Sequence, residues 1–491
     1  MMNRLLKLLM ICVMGLYGTQ PVISATTDVM VTVNDSLQVP LSQIIAAGLP
    51  VLYVETVEQE EPSFEIVTAP TGLIGATINA VKVPGRLTMF QRINGMDSVV
   101  YDSGEYEQKE SGMTIKVRGN SSAREDEVPY KIKLQKKFDL LMRGVDSVYK
   151  DKDWLLLRDD YLLTTTAFVI SRIVGTYWVP GHRFVNLVIN DRYHGHYLLC
   201  ESIKRNPKCR LNVDKQCGLV FECDAYWWNE DVYVYSTQDK YNYTFKYPED
   251  DEITQEQQDY TQQLVYDFEA SLKGNNYPDL IDVNSFATWC MVHDIMATKD
   301  GGGVNRFYIK YDTTAESKII MPVAWDFDLA ERGQGNWSRA HRVFMTDLFN
   351  NSNKAFVSEF VRVWCAMRET FADDLSREMD AEFNPDRQAM INSYALNDAV
   401  WGGNRNYPFH VAYREAWTIE RAEWLDSRIL AMRVPNDVNL DGKVDVADVS
   451  SLISGVLGKG RLYTVCADIN GDGQIDVADV SQLINVILGV I

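Results

Sequence analysis

From Leu49 the chain reads LPVLYVETV, a β-branched and aromatic run that opens a region of strand-like stretches and turns reaching about Leu134. Within it, Pro129–Leu134 alternates: Tyr130, Ile132 and Leu134 share one face, and Lys131 and Lys133 the other. RFVNLVIND, HYLLCESI and the aromatic-rich VYVYSTQDKYNYTFKY continue the strand signal. Helical spacing then takes over. Glu256 to Lys273 places Tyr260, Leu264, Phe268 and Leu272 on one face. Further helices are predicted over Asn284–Thr298, Phe356–Met379 and Tyr413–Met432. Val434-Pro435-Asn436 breaks the pattern. Strands followed by helices predict an α+β core over 49–433, preceded by a mature N-terminal segment (26–48) and followed by a distinct unit over 436–491.

The start of the chain belongs to none of these. Arg4 and Lys7 precede an almost wholly apolar Leu5–Leu16, and small Ser24 and Ala25 follow. This is the order of a secretory signal peptide, predicted over 1–25. No later run of 18 apolar residues exists, so the mature chain should have no transmembrane segment and should be secreted, extracellular or attached at the cell surface. At 491 residues, 46% hydrophobic and 24% charged, the composition excludes a collagen-like or largely disordered chain. The net charge of −20 lacks the basic footprint of a protein whose partner is a nucleic-acid polymer.

Export changes the meaning of cysteine. Besides Cys12 there are Cys200, Cys209, Cys217, Cys223, Cys290, Cys365 and Cys466, with no C-x2-C pair to suggest zinc. If HYLLCESI and GLVFECDAY form a hairpin, nested bridges 200–223 and 209–217 become available. Unpaired thiols fit the sequence as well.

The strongest chemical signal is a repeat. Residues 437–448 (DVNLDGKVDVAD) and 468–479 (DINGDGQIDVAD) align at a constant offset. Oxygen side chains stand at positions 1, 3, 5, 9 and 12: Asp437, Asn439, Asp441, Asp445 and Asp448, then Asp468, Asn470, Asp472, Asp476 and Asp479. Gly442 and Gly473 occupy the sharp turn at position 6. Lys443 and Gln474 at position 7 can each offer a carbonyl. Such a set suits Ca²⁺, with Asp where the EF-hand signature carries Glu at position 12. Each loop leads into an apolar helix. The loop–helix pair, used twice, resembles a type I dockerin: a small all-α domain with paired EF-hand-like loops and two Ca²⁺. The resemblance implies a cohesin module on a scaffold as partner. Val446, Ala447, Val477 and Ala478 would face it.

Three clusters mark the core. The first is Arg118-Gly119-Asn120-Ser121-Ser122 with the lysine-bearing strand after it; free amides and two lysines suit a polyphosphate, although taken alone the cluster reads more simply as a turn and a solvated strand face. The second is Asp300-Gly301-Gly302-Gly303-Val304-Asn305, whose glycines predict a loose loop. The third is Trp325-Asp326-Phe327-Asp328. Asp300 and Asn305 have the D-x4-N spacing of kinase catalytic loops, and Asp326 opens a D-F-x unit.

In this order, together with Asp153-Trp154-Leu155-Leu156, Asp159, Gly195 to Glu201 and Trp424-Leu425 with Arg428, the clusters resemble the CotH family of spore-coat kinase-like proteins. The resemblance implies an atypical protein-kinase-like fold using ATP with Mg²⁺ or Mn²⁺ on extracellular protein. Asp300 would be the catalytic aspartate, with Asp326, Asn305 and Asp328 at the metal. Arg118, Gly119, Asn120, Ser121 and Lys131 or Lys133 would hold nucleotide, and Glu201 or Glu222 would orient the lysine. Ala330-Glu331-Arg332-Gly333 departs from the A-F-G expected after W-D-F-D. The alternatives are a non-catalytic adhesin or structural component of a cellulosome-like complex, and a polysaccharide-degrading enzyme suggested by the company dockerins keep in polysaccharide catabolism.

Overall fold

A computed structural model describes residues 29–490 except Ile74, Val145, Asp146, Gln238, Asp239 and Arg332. The expected leader and Cys12 lie outside the described residues.

The N-terminal half is built of strands. In chain order they are β1 (Met30–Asn34), β2 (Leu37–Pro40), β3 (Val51–Thr56), β4 (Phe64–Thr68), β5 (Ala76–Ala80) and β6 (Val83–Ile93). There follow β7 (Met96–Asp102), β8 (Met113–Val117), β9 (Tyr130–Phe138), β10 (Asp151–Leu157), β11 (His182–Ile189) and β12 (Arg192–Glu201). Hydrogen bonding runs β10-β9-β8-β6-β3-β11-β12, and β12 pairs back to β10 through Trp154↔Glu201 to Leu157↔Leu198. The sheet therefore closes into a barrel, which removes its edges. Its interior is an apolar plug including Leu52, Leu87, Ile115, Ile132, Trp154, Leu187 and Leu199. The alternation of the lysine-bearing strand puts Tyr130, Ile132 and Leu134 into this plug. Residues 29–48 are no separate segment: β1 pairs with β12 at Thr32↔Arg192, and Val31, Val33, Ile44 and Ile45 are buried against the barrel.

The second half packs helices on a smaller sheet. Helix α1 (Leu163–Val174) leaves the barrel. Strands β13 (Leu219–Asp224), β14 (Tyr233–Val234), β15 (Asn242–Tyr247), β16 (Arg306–Lys310) and β17 (Ile319–Ile320) are ordered β14-β15-β13-β16-β17. Helices α2 (Gln255–Lys273) and α3 (Val283–Ile295) pack on this sheet through Phe268 and Phe286, whose rings meet Tyr308. Thr254 opens α2 with a capping box completed by Gln257. Every residue of α3 from Ser285 onward is buried, so it is a central helix.

The longer helices that follow are α4 (Ala355–Met367), α5 (Phe371–Phe383), α6 (Arg387–Trp401) and α7 (Tyr407–Leu430). The single helix predicted over Phe356–Met379 is two, α4 and α5. Between them Arg368 makes a two-pronged pair with Asp426 of α7 (2.7 and 2.8 Å), a tertiary contact that no local spacing encodes. Helix α7 starts earlier than expected, with Asn406 as cap and Pro408 in its first turn. No helix among the described residues is long and apolar enough to cross a membrane.

After the break at Pro435 come α8 (Val446–Val456) and α9 (Val477–Ile487), which close on a small core of Val438, Leu452, Ala467 and Leu483. The chain is thus a mixed strand–helix core followed by a small helical domain.

The hairpin that would bring Cys200 to Cys223 does not form. Cys200 lies on the barrel strand β12 and Cys223 on β13 of the other sheet. All seven described cysteines are thiols.

Candidate active site and calcium loops

Arg118 to Ser122 turn from β8 into β9. Gly119 has φ +92°, and a Cβ there would lie 2.3 Å from Ser122 Oγ, so this turn requires glycine. Leu157–Tyr161 leave β10 at the same end of the barrel. Facing them are Glu222 and Asp224 of β13, the Asp300–Asn305 loop between α3 and β16, the Trp325–Leu329 segment after β17, and Arg339. Together these line a cavity of 750 Å³.

Asp326 is aimed by its neighbours. Trp325 and Phe327 are buried on either side, Phe327 stacking on His293 with ring centroids 5.1 Å apart. A left-handed φ of +69° turns the residue between them. Asn305, at φ +60°, donates from Nδ2 to Asp326 Oδ2. Burial pushes the Asp326 carboxyl up to about 7, the neighbouring Asp328 and Asp300 push the same way, and the Arg118 guanidinium opposes them. A cation placed among these carboxylates would favour their ionised form. This donor set of carboxylates and an amide suits Mg²⁺ or Mn²⁺, so the residues fit such an ion.

The glycine triplet is not loose. Gly301, Gly302 and Gly303 are buried; a Cβ on Gly301 would meet the His293 ring at 2.4 Å, and one on Gly302 the Arg339 carbonyl at 2.4 Å. Small residues let this loop lie flat between α3 and the Arg339 segment.

Of the other residues singled out, Glu222 faces the cavity, its carboxyl raised to about 7 by burial. Asp159 caps α1, accepting from the Thr164 and Thr165 amides at 2.9 and 2.8 Å. Lys131 and Lys133 do not line this cavity. They lie in an adjoining one of 510 Å³ with Lys82, Lys116, Lys204 and Lys246, and Lys246 Nζ reaches Glu222 Oε1 at 3.4 Å between the two. Lys131 pairs with Asp153 at 3.2 Å. Glu201 lines neither: it is buried, accepting from Arg143 Nη2 and the Gly181 amide, both at 2.9 Å. Among the described residues its charged partners are Arg143 and Arg210 rather than a lysine. Asp224 and Arg339 escaped the sequence reading. Asp224 stands two positions from Glu222 on one strand, so the alternation could have revealed it. Nothing local marks Arg339.

The two acidic loops share one construction. The Gly442 and Gly473 amides donate to position 1, Asp437 and Asp468, at 2.9 Å each. The amide of position 9 donates to position 12 at 2.9 Å in both loops, and Asp448 and Asp479 are buried. The turn at position 6 is therefore made, and the carboxylates that would ligate calcium are held by their own backbone; the residues fit the ion. Val446 and Val477 are 72% and 68% exposed.

Among protein-family models, residues 115–397, more than half of the chain, match the CotH kinase protein, and residues 435–488 match the dockerin type I domain. No curated protein matches the chain.

Proposed function

Because the chain belongs to the CotH kinase family and carries a type I dockerin domain, we propose that it is a secreted kinase-like enzyme, moving phosphate from ATP to extracellular protein while its dockerin holds it on a cohesin-bearing scaffold. The observation that carries this reading is the convergence of Asp300, Asn305, Asp326 and Asp328 with Arg118 and Arg339 in one cavity. Phosphoryl transfer asks mainly for positioning and for neutralisation of charge on the transferred group. A divalent ion would supply part of that neutralisation, held by Asp326, Asn305 and Asp328. Arg118 and Arg339 contribute fixed positive charge, and the turn at Gly119–Ser122 offers backbone amides. Asp300 accepts the proton of the acceptor hydroxyl and orients it. Lys116, Lys131 and Lys133 in the adjoining cavity extend the anion-binding surface. The dockerin loops each take one Ca²⁺, leaving Val446, Ala447, Val477 and Ala478 for the cohesin.

A ligand that binds only the native state raises the Tm. ATP with Mn²⁺ should therefore stabilise the full chain, and Asp326→Ala should abolish that shift. An undiminished shift in the variant places the metal elsewhere.

A further inference from the structure

We propose that Cys365 and Cys466 form a disulfide that ties the calcium-binding domain to the helical part of the core. Cys365 lies on α4, Cys466 in the short helix Thr464–Ala467 just before the second calcium loop. Both are buried, at 4% and 6% exposure, in the same apolar cluster, where the segment leading to Cys466 packs along α4, and the two thiols are near enough to act on each other. Other thiols have different neighbours: Cys290 faces Asp294, Cys223 faces Gly303 and Arg306, and Cys217 faces Asp214.

The contact around the pair is a packed interface. Ser358 Oγ of α4 donates to Asp437 Oδ2 at 2.7 Å, and Arg461 Nη2 donates to the Ala366 carbonyl, next to Cys365, at 3.0 Å. Leu440 of the first loop belongs to the core's own apolar cluster. A Cβ on Gly442 would sit 2.8 Å from the Ala355 amide nitrogen, so the first loop lies backbone against backbone on α4. Among the described residues the second loop has no such tie: the Asp468 carboxylate accepts from Gly471 and Gly473 of its own loop. The first loop is seated on the core, whereas the second loop makes no such contact among the described residues, although Cys466 just before it is buried in the core's cluster. A bond at Cys466 fixes the junction between them.

The reaction breaks two S–H bonds and forms one S–S bond. Two protons are released, and two electrons reduce the disulfide of an oxidised thiol–disulfide oxidoreductase or a small-molecule disulfide to two thiols. Because both sulfurs are buried in the docked state, one forms the mixed disulfide before docking, and docking delivers the second thiolate to displace the small thiol. The bond closes a loop of roughly one hundred residues, long enough for a cross-link to restrict the unfolded chain strongly. Formation in the organism rests on the export proposed above; the test below does not.

The test uses the full chain with calcium, oxidised by glutathione disulfide both in the native state and during refolding, then alkylated and mapped without reduction. The expected result is loss of two alkylatable thiols and one linked peptide pair joining the segments of Cys365 and Cys466. Cys365→Ser and Cys466→Ser should each lose that pair. Alkylation of both cysteines in the wild-type chain under both regimes, or linkage of either one to a different cysteine, overturns the proposal.

Discussion

Asp300 and Gly301 are adjacent, yet chemistry fixes one and packing the other. Gly301 has no side chain because the His293 ring occupies the place a Cβ would take. His293 cannot retreat: its Nδ1 is 2.8 Å from Thr298 Oγ1, and its ring is held between Trp289 and Phe327. Gly301→Ala therefore overpacks a closed site. It should destabilise the chain by about 1–3 kcal/mol, read as a lower denaturant midpoint. An unchanged midpoint would mean that the loop moves freely. The same position shows where sequence reading stops. Asp300, Asn305 and Asp326 were legible because their spacing is local. The tightness of the glycines was not, because His293 and Arg339 reach them from other segments. Arg339 itself joins the cavity only through the path of its segment, anchored by its amide to the Thr298 carbonyl at 3.0 Å.

The elements repeat this division. Both acidic loops were readable as one repeat, since oxygen spacing, turn glycine and following helix all lie within one short stretch. The two loops nevertheless differ in setting, the first seated on α4 and the second open. Calcium titrated into the metal-free full chain should bind at two sites, and Asp472→Ala should leave one. Two sites retained in the variant would remove the second loop from the assignment. Helix α6 was missed for a complementary reason. It meets the barrel partly through polar groups: Asn397 Oδ1 accepts from the His196 amide at 3.1 Å, and Asn186 Nδ2 donates to Ser393 Oγ at 3.2 Å. Its apolar periodicity is correspondingly thin. The break between α4 and α5 was hidden too, because the pairing of Arg368 with Asp426 spans distant parts of the chain.

At the scale of the molecule, the strand-first, helix-later order was legible, but closure of the barrel was not. It depends on β12 pairing with both β11 and β10, a choice that alternation in any one strand cannot announce. Closure brings the Arg118 turn and the end of β10 to one rim, opposite the aspartates of the second half, so the cavity is a product of the whole fold. The domain after Pro435 is seated on the helices away from that rim, through α4 rather than through any residue lining the cavity. The most direct measurement is the rate of label transfer from ATP to protein, with Mn²⁺, by the full chain and by Asp300→Asn, with ATP affinity measured alongside. Asparagine keeps the size of the side chain and removes its basicity. The account predicts transfer by the wild-type chain and a fall of about 10²–10⁴-fold in the variant, with ATP affinity unchanged within a few-fold. Equal transfer by both, or ATP binding by the wild-type chain without any transfer, would contradict it.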